Sequence, residues 1–174
     1  MKFELQGLEQ EQVTSIKHRV EANSQQIDEI VSGIIEPYCK DLDKYVFFVK
    51  DCLKDGENPP TTEELEDWCM NLSTYIYFAS GMCENLGIRD DIAKAVYKEV
   101  YNASRNSIDK GTVADKDSIA TLQSQEEAII SAAYTRAYKT MKAKVEAAQE
   151  LLSSAKKVLS HRIQMIELTR MGGN

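Results

Sequence analysis

Residues 112–171 read TVADKDSIATLQSQEEAIISAAYTRAYKTMKAKVEAAQELLSSAKKVLSHRIQMIELTRM, without a glycine or a proline. Apolar residues recur through this stretch at helical spacing almost without a break. One continuous helix of roughly 60 residues would be about 90 Å long, far beyond the average of about 11–12 residues. A helix that long cannot cover its apolar stripe inside one compact domain, so the stretch predicts partner helices. Ile130, Tyr134, Ala137 and Met141 step by four and three. Val145 adds a second step of four, and Ala148, Leu152, Ala155, Leu159, Ile163 and Ile166 resume the alternation. The doubled step is a stutter, which locally unwinds a supercoil. Small side chains at Ala137, Ala148 and Ala155 permit close helix approach. Met141, Val145, Ala148, Leu152, Ala155, Leu159, Ile163 and Ile166 form the expected self-association seam. The expected fold class is all-α: a helical bundle with one very long C-terminal helix and coiled-coil-like association.

The rest of the chain supports that class. It has 174 residues, only eight glycines and only three prolines, and the prolines lie at Pro37, Pro59 and Pro60. Helical periodicity predicts a first helix over 8–35, carrying Val13, Ile16, Val20, Ile27, Ile30, Val31 and Ile34. Pro37, whose fixed φ suits a first helical turn, predicts a restart over 37–53. Residues 55–60, DGENPP, predict a loop. Thr61 with Glu64 is a capping-box signature, opening a third helix to about residue 85. Gly87 reads as a helix terminator. Asp90 and Asp91 read as the acidic first turn of a fourth helix, which ends before Asp109-Lys110-Gly111. Thr112 with Asp115 is a second capping signal. Two regions are expected: an acidic helical bundle over 1–111 and a long basic helix over 112–174.

Charge is distributed unevenly around a formal net of -7. Residues 1–130 carry 13 basic against 25 acidic side chains, and residues 131–174 carry eight against three. A basic arm on an acidic body implies an anionic partner, or docking of the arm on another copy's body. No apolar run approaches the roughly 20 residues needed to span a bilayer. The opening MKFELQ has no apolar core of a signal peptide. A cytoplasmic protein is therefore expected, without a membrane partner. In a reducing compartment Cys39, Cys52, Cys69 and Cys83 are expected as reduced, mostly buried thiols.

Little in the chain demands catalytic chemistry. His18 and His161 stand on different helices without convergent partners. The acids at Glu63-Glu64-Glu66-Asp67 and Asp90-Asp91 suit first helical turns, and Glu126-Glu127 suits a solvated face. No Gly-rich phosphate loop or nucleophile elbow is present. No enzyme activity, cofactor or metal is expected. Tyr45, Phe47, Phe48, Trp68, Tyr75, Tyr77 and Phe78, at helical spacing, read as bundle core. Tyr134 and Tyr138 stand one helical turn apart beside Arg136, Lys139, Lys142 and Lys144. Cations interleaved with aromatic rings can follow a phosphate backbone while the rings stack on bases.

Ala114-Asp115-Lys116-Asp117 and, further on, residues 151–162, LLSSAKKVLSHR, together resemble the C-terminal part of UvsY-like recombination mediator proteins of tailed phages. The resemblance covers about a third of the chain. It implies a small, helical, oligomeric protein that binds single-stranded DNA and helps load a recombinase. It also implies phosphate contacts from Lys156, Lys157 and Arg162. The chain departs from the family in its acidic balance and in Ile163, which follows Arg162 where a Gly-aromatic pair belongs. The functional expectation is a non-enzymatic phage-type accessory protein. Its candidate nucleic-acid residues are Tyr134, Arg136, Tyr138, Lys139, Lys142, Lys144, Lys156, Lys157 and Arg162. The alternative is a structural or interaction protein, or an inhibitor of a host defence protein, acting through its acidic surface without nucleic acid.

Overall fold

The computed structural model describes residues 2–54 and 59–172, with side chains from residue 13 onward except those of 16, 19 and 23. The chain is all-α, and the described residues form four helices: α1 (Lys2–Lys54), α2 (Thr62–Asn106), α3 (Val113–Gln123) and α4 (Gln125–Gly172). No described helix is long and apolar enough to cross a membrane. Of the DGENPP loop, residues 55–58 lie outside the described residues.

Two helices run through the breaks expected from sequence. Pro37 lies inside α1 instead of restarting a helix. An interior proline removes one backbone hydrogen bond and crowds the carbonyl four residues back, at a cost of about 3 kcal/mol. Here both Pro37 and Gly33 are exposed, so water can serve the orphaned carbonyl. The buried positions Val31, Ile35, Cys39 and Leu42 keep one helical phase across the proline. Gly87, expected as a terminator, is interior to α2. A Cβ there would lie 3.3 Å from Tyr138 Cε2, so the glycine makes room for a ring, not for a turn. Asp90 and Asp91 are accordingly mid-helix, and Asp90 is buried.

The long C-terminal stretch is two helices separated by one residue. Ser124 is the C-cap of α3, fully buried. Its hydroxyl donates to the Ala120 carbonyl at 2.8 Å, a back-bond that competes with the regular ladder. At Ser153-Ser154 the helix continues unbroken. Both capping boxes are formed. The Glu64 amide donates to Thr61 Oγ1 at 3.2 Å and the Thr61 amide to Glu64 Oε2 at 2.7 Å. Thr112 and Asp115 form the same reciprocal pair at the start of α3. Gly111 supplies the positive φ, +129°, that the turn before Thr112 requires.

By compactness the chain divides into two units: Met1–Ile34 with Ala93–Arg136 (unit 1), and Ile35–Ile92 with Ala137–Asn174 (unit 2). Unit 2 packs segments of α1, α2 and α4 around Leu42, Val49, Leu65, Trp68, Leu72, Leu86 and Met141. Tyr45 meets Tyr75 with ring centroids 5.2 Å apart, and Phe48 meets Trp68 edge-on at 6.0 Å. Only part of the aromatic set is core: Trp68 is buried and Tyr45 and Tyr75 are half-buried, whereas Phe47, Phe48, Tyr77 and Phe78 are exposed. In unit 1, α2 and α3 are joined through Asp117, whose Oδ1 accepts from Arg105 Nε at 2.5 Å and from Tyr101 Oη at 3.2 Å. Unit 1 buries Val31, Ala120, Ser124, Ser131 and Ala133 among the described residues. Glu127 there is half-buried, with Oε2 fully covered and unpaired, and does not lie on a solvated face.

Candidate nucleic-acid interface

Within unit 2, α4 has two unlike faces. The inward one is Ala137, Met141, Val145, Ala148 and Ala155, all buried, with Leu152 and Leu159 half-buried. The steps of four and three hold these side chains on one line, and the alanines let the backbone of α4 approach α1 and α2 closely. This corrects the expected self-association seam. Met141, Val145, Ala148 and Ala155 are sheltered by the chain's own helices, because α1 and α2 supply the apolar cover that the sequence left unassigned. Ile163 and Ile166 remain exposed, with Met165, Leu168 and Met171 beside them.

The outward face carries the cations. Lys139, Lys142, Lys156 and Lys157 are exposed and have no ion-pair partner among the described residues. Glu146 and Glu150 stand on the same face between the two lysine pairs. Two other nominated residues are committed internally. Lys144 is half-buried and donates to Asp43 Oδ2 at 2.6 Å, tying α4 to α1. Tyr138 is half-buried with its ring against Gly87. Neither can be offered in full to a ligand, because each already fills a place in the packing. Arg162 is half-buried and lies close enough to Glu64 to favour its carboxylate. Tyr134, half-buried, and Arg136, exposed, belong to unit 1.

Beside the lysines lies a shallow groove of about 270 Å³ whose lining includes Ser80, Cys83, Glu84, Tyr138, Lys142 and Glu146. Burial pushes the Cys83 thiol up from its ordinary range, with the Glu84 carboxylate adding to the effect. Burial likewise raises the Cys39 and Cys69 thiols. All four cysteines are free; Cys39, Cys69 and Cys83 are buried and Cys52 is half-buried. His18 and His161 are both exposed, in different units. The described residues contain no cluster of acidic, histidine or cysteine side chains able to hold a metal.

Sequence reasoning missed one surface altogether. Met70, Tyr77, Phe78, Ile88 and Ile92 are exposed along α2 on the side away from its buried residues, and the partly exposed Met82 borders the buried side beside Ala79 and Leu86. The signal was present as a second apolar stripe half a turn from the first, masked because the two stripes together make the helix look uniformly apolar. No family model, curated protein or solved structure matches the chain.

Proposed function

We propose that this chain is a non-enzymatic accessory protein of phage type that works as an oligomer and binds single-stranded nucleic acid along the outward face of α4. The supporting observation is the set Lys139, Lys142, Lys156 and Lys157, exposed and unneutralised in a protein of net charge -7 that uses Lys144 internally. Solvated lysines without carboxylate partners are the groups that can exchange condensed counterions for phosphates. The resemblance of residues 151–162 to UvsY-like mediators points the same way and supplies the second expected partner, a recombinase.

Anisotropy of a labelled single-stranded oligonucleotide, titrated with the protein at several salt concentrations, tests this reading. Affinity falls with salt, and each lysine that meets a phosphate contributes about -0.7 to the log–log slope. Replacing both Lys156 and Lys157 by alanine lowers the magnitude of that slope and weakens binding. Absence of binding even at low salt, with the oligomer intact, ends the proposal.

The second reading is an interaction protein, including an inhibitor of a host defence protein, that acts through acidic surface. Glu146 and Glu150 between the lysine pairs favour it, since carboxylates on that face repel a phosphate backbone and attract a basic protein. Glu146→Gln with Glu150→Gln discriminates: oligonucleotide binding tightens under the first reading and stays absent under the second.

A further inference from the structure

We propose that the outward face of α2 over residues 70–92 is a homodimer interface, covered by the same face of a second copy lying parallel and in register. The inference deepens the oligomeric part of the reading above and does not depend on nucleic acid. It concerns one helix within unit 2. The buried side of that helix carries Leu65, Trp68, Leu72, Ile76, Ala79, Cys83 and Leu86. Half a turn away, Met70 and Tyr77 are 73% and 76% exposed, and Phe78, Ile88 and Ile92 are 63%, 59% and 57% exposed. With Met82 these side chains offer on the order of 700 Å², near the roughly 800 Å² that each partner contributes to a standard interface.

The occupant follows from the order of residues along the stripe. In heptad notation Asn71, Phe78, Asn85 and Ile92 fall on a, and Thr74, Gly81 and Ile88 fall on d. The flanking g positions are then Met70, Tyr77 and Glu84, and the e positions Tyr75, Met82 and Arg89. In a parallel pair each g residue meets the partner's e residue five positions later. That offset joins Met70 to Tyr75, Tyr77 to Met82 and Glu84 to Arg89 of the second copy. Two are sulfur–aromatic contacts, which are favourable. The third is an acid–base pair, and neither Glu84 nor Arg89 has an ion-pair partner among the described residues of its own chain. An antiparallel pair centred on Gly81 sets Glu84 against Tyr77 and leaves both charges unpaired.

Two positions that weaken an isolated helix gain a purpose in this arrangement. Gly81, in mid-helix, has nothing within 4 Å of the place its Cβ would occupy, so no packing inside the chain calls for a glycine. Between facing helices it permits close approach beside the bulky Phe78. Asn85, like Asn71 on an a position, pairs with its own copy only in a parallel, in-register dimer, the arrangement that polar a residues specify.

Sedimentation equilibrium on the full chain, without nucleic acid, tests the proposal. The expected mass is twice the chain's 19.6 kDa at micromolar concentrations. Ile88→Glu, at an exposed position that tolerates charge in the monomer, shifts the population to monomer with unchanged helicity by circular dichroism. Glu84→Arg and Arg89→Glu each weaken dimerisation several-fold, up to about tenfold, and the double exchange restores it. Asn85→Cys forms a disulfide-linked dimer under mild oxidation where the parent chain does not. A monomer at every concentration overturns the proposal. So does a dimer that ignores Ile88→Glu, or one that Asn85→Cys fails to cross-link. Because nucleic acid is absent throughout, none of these outcomes bears on oligonucleotide binding.

Discussion

The two units draw on similar apolar sequence and use it differently. Unit 2 buries large side chains from three helices, with Leu65, Leu72, Leu86 and Met141 almost wholly out of water. Unit 1, among its described residues, buries one valine, two alanines and two serines. It leaves Val13, Val20, Ile30, Val113, Ile119, Leu122 and Ile129 exposed. Helical periodicity therefore determines that a segment is helical but not that its apolar face is used. Use depends on whether side chains from another segment interdigitate at that level, and this depends on packing density.

The largest expected effect tests this contrast directly. Leu72→Ala empties a fully buried site in unit 2 and costs about 2–5 kcal/mol, read from urea denaturation. Leu122→Ala in unit 1 removes a side chain that is 71% exposed, and such surface changes stay within about 0.5 kcal/mol. Equal costs would erase the distinction between the units. Loss of the cap comes next. Thr112→Ala leaves the Asp115 amide in the first turn of α3 without its acceptor and costs about 1 kcal/mol. Hydrogen exchange should place that loss in α3, leaving the α2 amides of unit 2 at their original protection.

A pair of glycines sharpens the contrast at smaller scale. Gly33 has open space where its Cβ would stand. Gly33→Ala should therefore stabilise by about 0.5–1 kcal/mol, the ordinary helix-interior difference. Gly87→Ala gains the same propensity but must push the Tyr138 ring, 3.3 Å away, by a few tenths of an ångström. The expected outcome is a smaller gain or a net loss in thermal melts. The reverse order would mean that the ring is not held against α2.

The same glycines show what could be read from residue order alone. Both capping boxes, the turn at Gly111 and the apolar phase of Ala137, Met141, Val145, Ala148 and Ala155 were legible, because each depends on residues within a few positions of one another; that the chain's own helices cover this line, instead of a second copy, was not. Gly87 was not, because its reason is Tyr138, a residue 51 positions away in the sequence. Pro37 was misread for a related cause: the flanking core positions hold the helix through it, and their depth of burial is a tertiary fact. In the candidate site the exposed lysines were legible as cations. That Lys144 is spent on Asp43 was not, since that pair closes across 101 residues. The outward apolar stripe of α2 was hidden by the inward one.

The smallest expected effect concerns pH. In unit 1, Asp117 is held below the usual carboxylate range, first by the hydrogen bond from Arg105, and Asp115 is lowered by its bonds to Thr112. In unit 2 the Glu64 carboxylate is lowered by the Thr61 amide. A carboxyl lowered on folding stabilises the folded state above its ordinary value near 4 and loses that contribution as pH falls through it. The buried thiols Cys39, Cys69 and Cys83, all in unit 2, are raised above 9.0. Their contribution is present below that value and is lost as pH rises beyond it, because the unfolded chain ionises first. Acid should thus loosen contacts in both units, whereas thiol ionisation in alkali should act on unit 2 alone. Denaturation midpoints across pH, for the parent and for Asp117→Asn, check the acid limb: the variant should be less stable near neutrality and less sensitive below pH about 4. Thiol labelling checks the alkaline limb. Cys52, half-buried, should react first, and the other three only as unit 2 opens. Simultaneous labelling of all four at neutral pH would show that the core of unit 2 is no better closed than unit 1.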